Sequence, residues 1–178
     1  MSPRTGHFNL LARVLHWSMA VMILAMLFVG VTMVASLQWR PQLIDLHRPL
    51  GIAIGVLVLL RLYNRLRHGA PPLPADLPGW QVLAAKASHV LLYALMLAMP
   101  LIGWSMLSAG GYPIVLGGGL HLPAIVPHSP ALYAALRSAH SLLAYVLFAT
   151  VLLHLGAALF HLWVRRDGVF QAMARGRD

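Results

Sequence analysis

The chain has 178 residues, 60% of them hydrophobic and only 10% charged, where soluble domains carry about 25% charged residues. There is too little charge to dress a water-facing surface. The formal net charge is nevertheless +9, and the positive residues sit beside apolar segments, which points to membrane topology and anionic lipid and not to nucleic acid. Cysteine is absent, which excludes disulfides, thiolate metal sites and iron–sulfur clusters. The four acidic residues are all Asp, a poor supply for a two-carboxylate hydrolase or a carboxylate-bound di-metal centre. The ten His make imidazole the main metal ligand on offer.

In chain order, the first apolar segment covers about residues 10–37, after Arg4 and beside Arg13. It has no small-residue cleavage site and reads as a span, not a removable leader. Trp39 to Asp45 reads as a short turn. The second segment covers about 47–66, with Pro49 tolerated in an opening turn. Pro71, Pro72, Pro74 and Pro78 make Arg67 to Pro78 a stiff linker. The third segment covers about 82–107. Gly110 to Pro130, with Gly117-Gly118-Gly119 at its middle, is the longest loop. The fourth segment, about 132–164, is long enough to tilt or project. A span needs about 20 apolar residues, so the expectation is an all-α fold: a membrane four-helix bundle in one domain, 1–178.

Lys and Arg set the orientation. Arg4 and Arg13 mark the N-terminus; Arg61, Arg65, Arg67 and Lys86 flank the Pro-rich linker; Arg165, Arg166, Arg175 and Arg177 follow the last span. Positive-inside puts both termini in the cytoplasm and the Gly-rich loop outside.

Ionisable side chains inside spans are rare and usually functional. Five His qualify: His16, His47, His89, His140 and His154. His140 and His154 are 14 residues apart, close to four turns, so they share a face at depths about 21 Å apart. His16 matches the depth of His154, and His47 that of His140. Facing imidazoles in a bundle can hold a haem iron from both sides, with no charge buried in lipid. A lone intramembrane His is as often a helix-to-helix hydrogen-bonder; two depth-matched layers favour haem. Zinc would want three or four ligands at one depth, usually including a carboxylate or thiolate. By depth alone His89 equally partners His154. It is otherwise expected to contact quinone, to carry protons or to stand behind a ligand. His161, close to Arg165, is an interfacial residue that can meet a haem propionate, as are Arg48, Arg61 and Arg137. His121 and His128 on the long loop are candidate proton carriers.

Leu15-His16-Trp17, Leu46-His47-Arg48-Pro49-Leu50-Gly51 with the later Arg61, His89 to Tyr93 running on to Pro100-Leu101-Ile102-Gly103-Trp104, and Ala139-His140 with His154 and Ala157 to His161 together resemble the bacterial cytochrome b561 family. These are di-haem four-helix membrane cytochromes related to the cytochrome subunit of nickel–iron hydrogenases. The resemblance covers nearly the whole chain. It implies two haem b groups held by His16, His47, His140 and His154, favouring His16 over His89, in the bacterial inner membrane. It also implies electron transfer across that membrane, commonly with a quinone such as ubiquinone and with a donor at the periplasmic face. Some members resemble superoxide oxidases that reduce ubiquinone. Only Arg40, Arg48 and Arg137, with His121 and His128, are available to steer an anion at the outer face.

Two other classes are distinguishable. A haem-bearing anchor subunit of a larger oxidoreductase would co-purify with its partner. A His-relay proton or metal transporter would bind no haem, and the absence of any Asp inside a span counts against it.

Overall fold

The computed structural model describes residues 6–116 and 119–175; Arg4, Gly117, Gly118 and Arg177 lie outside them. Four long helices carry the fold: α1 (Leu10–Ala35), α2 (Arg40–His68), α3 (Gly79–Ala109) and α4 (Pro130–Phe160). All four are long and apolar enough to cross a membrane. A helix satisfies its own backbone hydrogen bonds, which is the condition for standing in lipid.

The helix ends follow from local chemistry. The Asn9 side chain accepts from the Ala12 amide at 2.7 Å and caps α1. Ser129 does the same for α4, from the Leu132 amide at 3.3 Å, with Pro130 in the first turn. Gly69, at φ 71, ends α2 in a conformation other residues avoid. The turn expected at Trp39 to Asp45 is shorter than the sequence indicated: Arg40 to Asp45 are helical. Pro41 lies in that opening turn, where its fixed φ suits a helix and its missing N–H is not needed. Helix α2 therefore runs to 29 residues, comfortably a span.

The long loop is partly ordered. Strands β1 (Ile114–Leu116) and β2 (Leu120–Leu122) pair antiparallel, with Val115 opposite His121. After α4 the chain widens into a π-helical turn, His161–Arg165, and then reverses through Arg166 (φ 54) and Gly168 (φ 81). The short helix α5 (Val169–Ala174) folds back under the bundle. There the Phe8 amide donates to the Ala172 carbonyl at 3.1 Å and the Trp17 indole N–H to the Met173 carbonyl at 3.3 Å.

Helix α1 packs along α2, and α3 along α4, with α2 and α3 joining the two pairs. The backbones of α1 and α2 stand off from that of α4, so side chains cross the space between them. A buried cluster of Met19, Ile23, Ile54, Val58, Leu92, Leu95, Met96 and Leu147 fills the middle of the bundle. Outside, Phe28 (73% exposed), Val34 (79%), Leu66 (77%) and Leu153 (74%) point away from all protein. Such a surface is stable in hydrocarbon and not in water.

Candidate haem-binding centre

Two imidazole pairs bracket the apolar cluster. His16 of α1 and His154 of α4 have ring centroids 6.3 Å apart, and His47 of α2 and His140 of α4 are 6.2 Å apart. In both pairs the rings meet steeply, at 70° and 65°. Leu147 lies midway between the two His of α4 and belongs to the buried cluster, so an apolar plug separates the layers. All four His expected from the sequence are therefore brought together, in the expected combinations.

These spacings are informative. Two imidazoles bonded to one metal from opposite sides, at about 2 Å per bond and roughly 1.1 Å from nitrogen to ring centre, have centroids about 6.2 Å apart. Both pairs sit at that separation. The polar atoms agree at one end: His47 Nδ1, His140 Nδ1 and Arg48 Nε are buried with no hydrogen-bond partner among the described residues. Unpaired buried polar atoms are costly, and these three, two in the pair itself and one in the adjoining Arg48, mark a place built for something more than the described residues. Gly103 gives room there, because a Cβ added to it would lie 3.4 Å from His140 Cε1.

His89 is also close. Its ring lies 5.6 Å from that of His154, shorter than the spacing of opposed ligands, and it makes a polar contact with the backbone of Ala85 one turn earlier. The inner layer thus holds three imidazoles, yet no cluster of three or more His, Cys, Asp or Glu in metal-binding geometry is found among the described residues.

The other predicted residues divide. Arg61 Nη1 donates to the Ala12 carbonyl at 3.1 Å, and its guanidinium also hydrogen-bonds Tyr93. Arg137 is exposed, as are His121 and His128 on the outer loop. His161 Nδ1 is engaged by Asp167 Oδ2 at 2.6 Å; Arg165 donates to the same oxygen at 3.0 Å and to Asp76 Oδ2 at 2.7 Å. Burial pushes the Asp167 carboxyl up, but hydrogen bonds from His161, Arg165 and the Val169 amide outweigh it and hold it below the ordinary carboxylate range.

Sequence reasoning missed this knot, which ties the Pro-rich linker to the turn after α4. It also missed the reciprocal amide pair Asn9–Asn64, at 3.3 and 3.4 Å, with Asn64 only 3% exposed. Asn64, four residues past the apolar run that ends at Leu60, was the one signal available; an amide so placed needs a partner.

The chain matches the family described as prokaryotic cytochrome b561 over residues 7–176. It is 29% identical over 168 residues to cytochrome b561 homolog 1 of Escherichia coli (strain K12), covering 89% of this chain and 92% of the relative. It is 27% identical over 170 residues to homolog 2 of the same organism, covering 93% and 90%. A probable superoxide oxidase of Yersinia pestis is 29% identical over 164 residues, covering 89% and 90%.

Proposed function

The chain belongs to the prokaryotic cytochrome b561 family, multi-pass proteins of the bacterial inner membrane that transfer electrons with b-type haem, and from that premise we propose that it carries two haems and moves electrons between the two faces of the membrane. His47 and His140 hold one haem and His16 and His154 the other. When bound, the haems supply the one-electron redox chemistry that no side chain here possesses. The observation that carries the reading is the pair of spacings, 6.2 and 6.3 Å, at two depths of one bundle.

The remaining roles belong to the chain. Neutral imidazoles bind iron without burying charge. The plug around Val58 and Leu147 excludes water between the layers, and the rise of α4 sets them about 21 Å apart. The Lys and Arg distribution supports cytoplasmic termini, with His47 and His140 at the periplasmic side in the proposed scheme. Arg48 is the favoured partner for an outer haem carboxylate, since its Nε is free among the described residues, ahead of the exposed Arg137. Arg61 and His161 already have protein partners. His89, beside His154 at the inner layer, is the proposed contact for the acceptor, a quinone. A superoxide donor at the outer face and ubiquinone as acceptor form the specific reaction proposed, supported by the probable superoxide oxidase among the relatives.

A dithionite-reduced minus oxidised spectrum with a pyridine haemochrome count on purified protein tests this. Two low-spin haems b per chain is the expected result. One haem removes a layer from the scheme, and none, after growth with ample haem, overturns it.

A further inference from the structure

Arg13 was placed by sequence only among the residues that orient the N-terminus. Its surroundings give it a further role. Its Nε is buried and has no hydrogen-bond partner among the described residues, a condition it shares with Arg48. Arg13 precedes His16 by three residues on α1, so the two side chains lie within one turn of each other on neighbouring rows. Arg48 adjoins His47 on α2. Each imidazole pair therefore has, on the helix that supplies its first His, a guanidinium with a buried nitrogen left open.

Among the described residues these cations find no counter-charge within ion-pair distance. It has four acidic residues. Asp76 and Asp167 are engaged by Arg165 and His161, Asp45 is exposed, and Asp178 lies outside the described residues. No ion pair to Arg13 or Arg48 is found among the described residues. Arg61, the other cation near the inner pair, spends donors on the Ala12 carbonyl and Tyr93. A half-buried guanidinium at a membrane boundary is stabilised most by an anion that accepts its fork of N–H groups. No described residue supplies that anion to Arg13 or Arg48.

We infer that Arg13 and Arg48 are carboxylate sockets, one for each layer: Arg13 receives a carboxylate of the group held at His16 and His154, and Arg48 one of the group held at His47 and His140. The inference rests on the ligand assignment proposed above and adds Arg13 to it. The same fork also fits a phospholipid phosphate, and the two anions are separable by experiment. A cation paired to a haem carboxylate favours the reduced state of that haem, since reduction removes positive charge from the iron. Its loss lowers that haem's midpoint potential and no other.

The test is a redox titration of the purified full-length protein and of Arg13→Gln, Arg13→Lys, Arg48→Gln, His16→Ala and His47→Ala, with haem and phospholipid counted in each. The expected result is that Arg13→Gln keeps both haems and lowers the potential of the component that His16→Ala abolishes. Arg48→Gln lowers the component that His47→Ala abolishes, and Arg13→Lys, which keeps the charge, recovers part of the shift. Unmoved potentials, or a shift in the wrong component, overturn the sockets while leaving the ligands standing. Unmoved potentials with loss of bound anionic phospholipid assign the fork to lipid and also overturn them. Wild-type protein without haem overturns the ligand assignment and the sockets together.

Discussion

The His89 and His154 rings meet edge-on at 5.6 Å between centroids, closer than His154 stands to His16 at 6.3 Å. Proximity does not make His89 the ligand. Opposed imidazoles on one metal need about 6.2 Å, which His16 meets and His89 does not. His89→Ala is expected to purify with two haems per chain, and His16→Ala with one. Haemochrome counts showing the reverse would move the inner ligand to α3.

Gly103 is expected to control the outer pair. Gly→Ala in a helix is ordinarily stabilising by about 0.5–1 kcal/mol. Here the added methyl would lie 3.4 Å from His140 Cε1 and 3.7 Å from Nδ1, so the ring must give by a few tenths of an ångström. Gly103→Ala should melt no lower than wild type yet show an altered outer-haem spectrum. Gly103→Leu should retain one haem. A Gly103→Leu protein with two unperturbed haems would remove this residue from the site.

The knot around Asp167 makes the tail after α4 sensitive to acid. Its carboxyl is held below the ordinary value of 3.8. The folded state therefore binds the proton less readily than the unfolded one. The stability this contributes is full above the ordinary carboxyl range and is lost as pH falls through the lower folded value. Amide-exchange protection factors over residues 169–175 should be high at neutral pH and fall in acid, and those of Asp167→Asn should be low throughout. Identical exchange in the two proteins would show that the knot does not hold the tail.

Leu95 is 4% exposed within the central cluster. Leu95→Ala leaves a cavity between the layers. In soluble proteins such a change costs about 2–5 kcal/mol. Lipid replaces water as the alternative environment here, so packing is what is lost and the low end, about 2 kcal/mol, is expected. Unfolding in mixed micelles measures it, and a loss no larger than that from lipid-facing Leu153→Ala would contradict a packed plug.

The four spans and the two His layers were legible because both depend on periodicity and length alone, whereas the choice of His16 over His89 in the inner layer came only from the family resemblance. Apolar runs near the thickness of a bilayer, and a 14-residue spacing close to four turns, need no tertiary information. What escaped was set by contacts between distant segments. The helical start at Arg40 to Asp45 turns on one proline's backbone angle in a polar stretch that reads equally as a turn. The hairpin Ile114–Leu122 has strands of three residues, too short to leave an alternating pattern. The Asp76–Arg165–Asp167–His161 knot joins residues up to 91 apart in sequence, and nothing local announces it. His161 read as an interfacial residue because its partner is reached only through the π-helical turn and the left-handed reversal after it.

Helix α4 is, finally, a ruler. Because it carries one His of each pair, the distance between the layers is written as a number of residues and not as a set of contacts. Substitutions between His140 and His154 on the lipid side are cheap, but the count is not adjustable. One inserted residue would turn His154 by about 100° and advance it by about 1.5 Å, swinging the ring from the bundle toward lipid while leaving His140 where it stands. The segment should thus accept wide changes of composition and almost none of length.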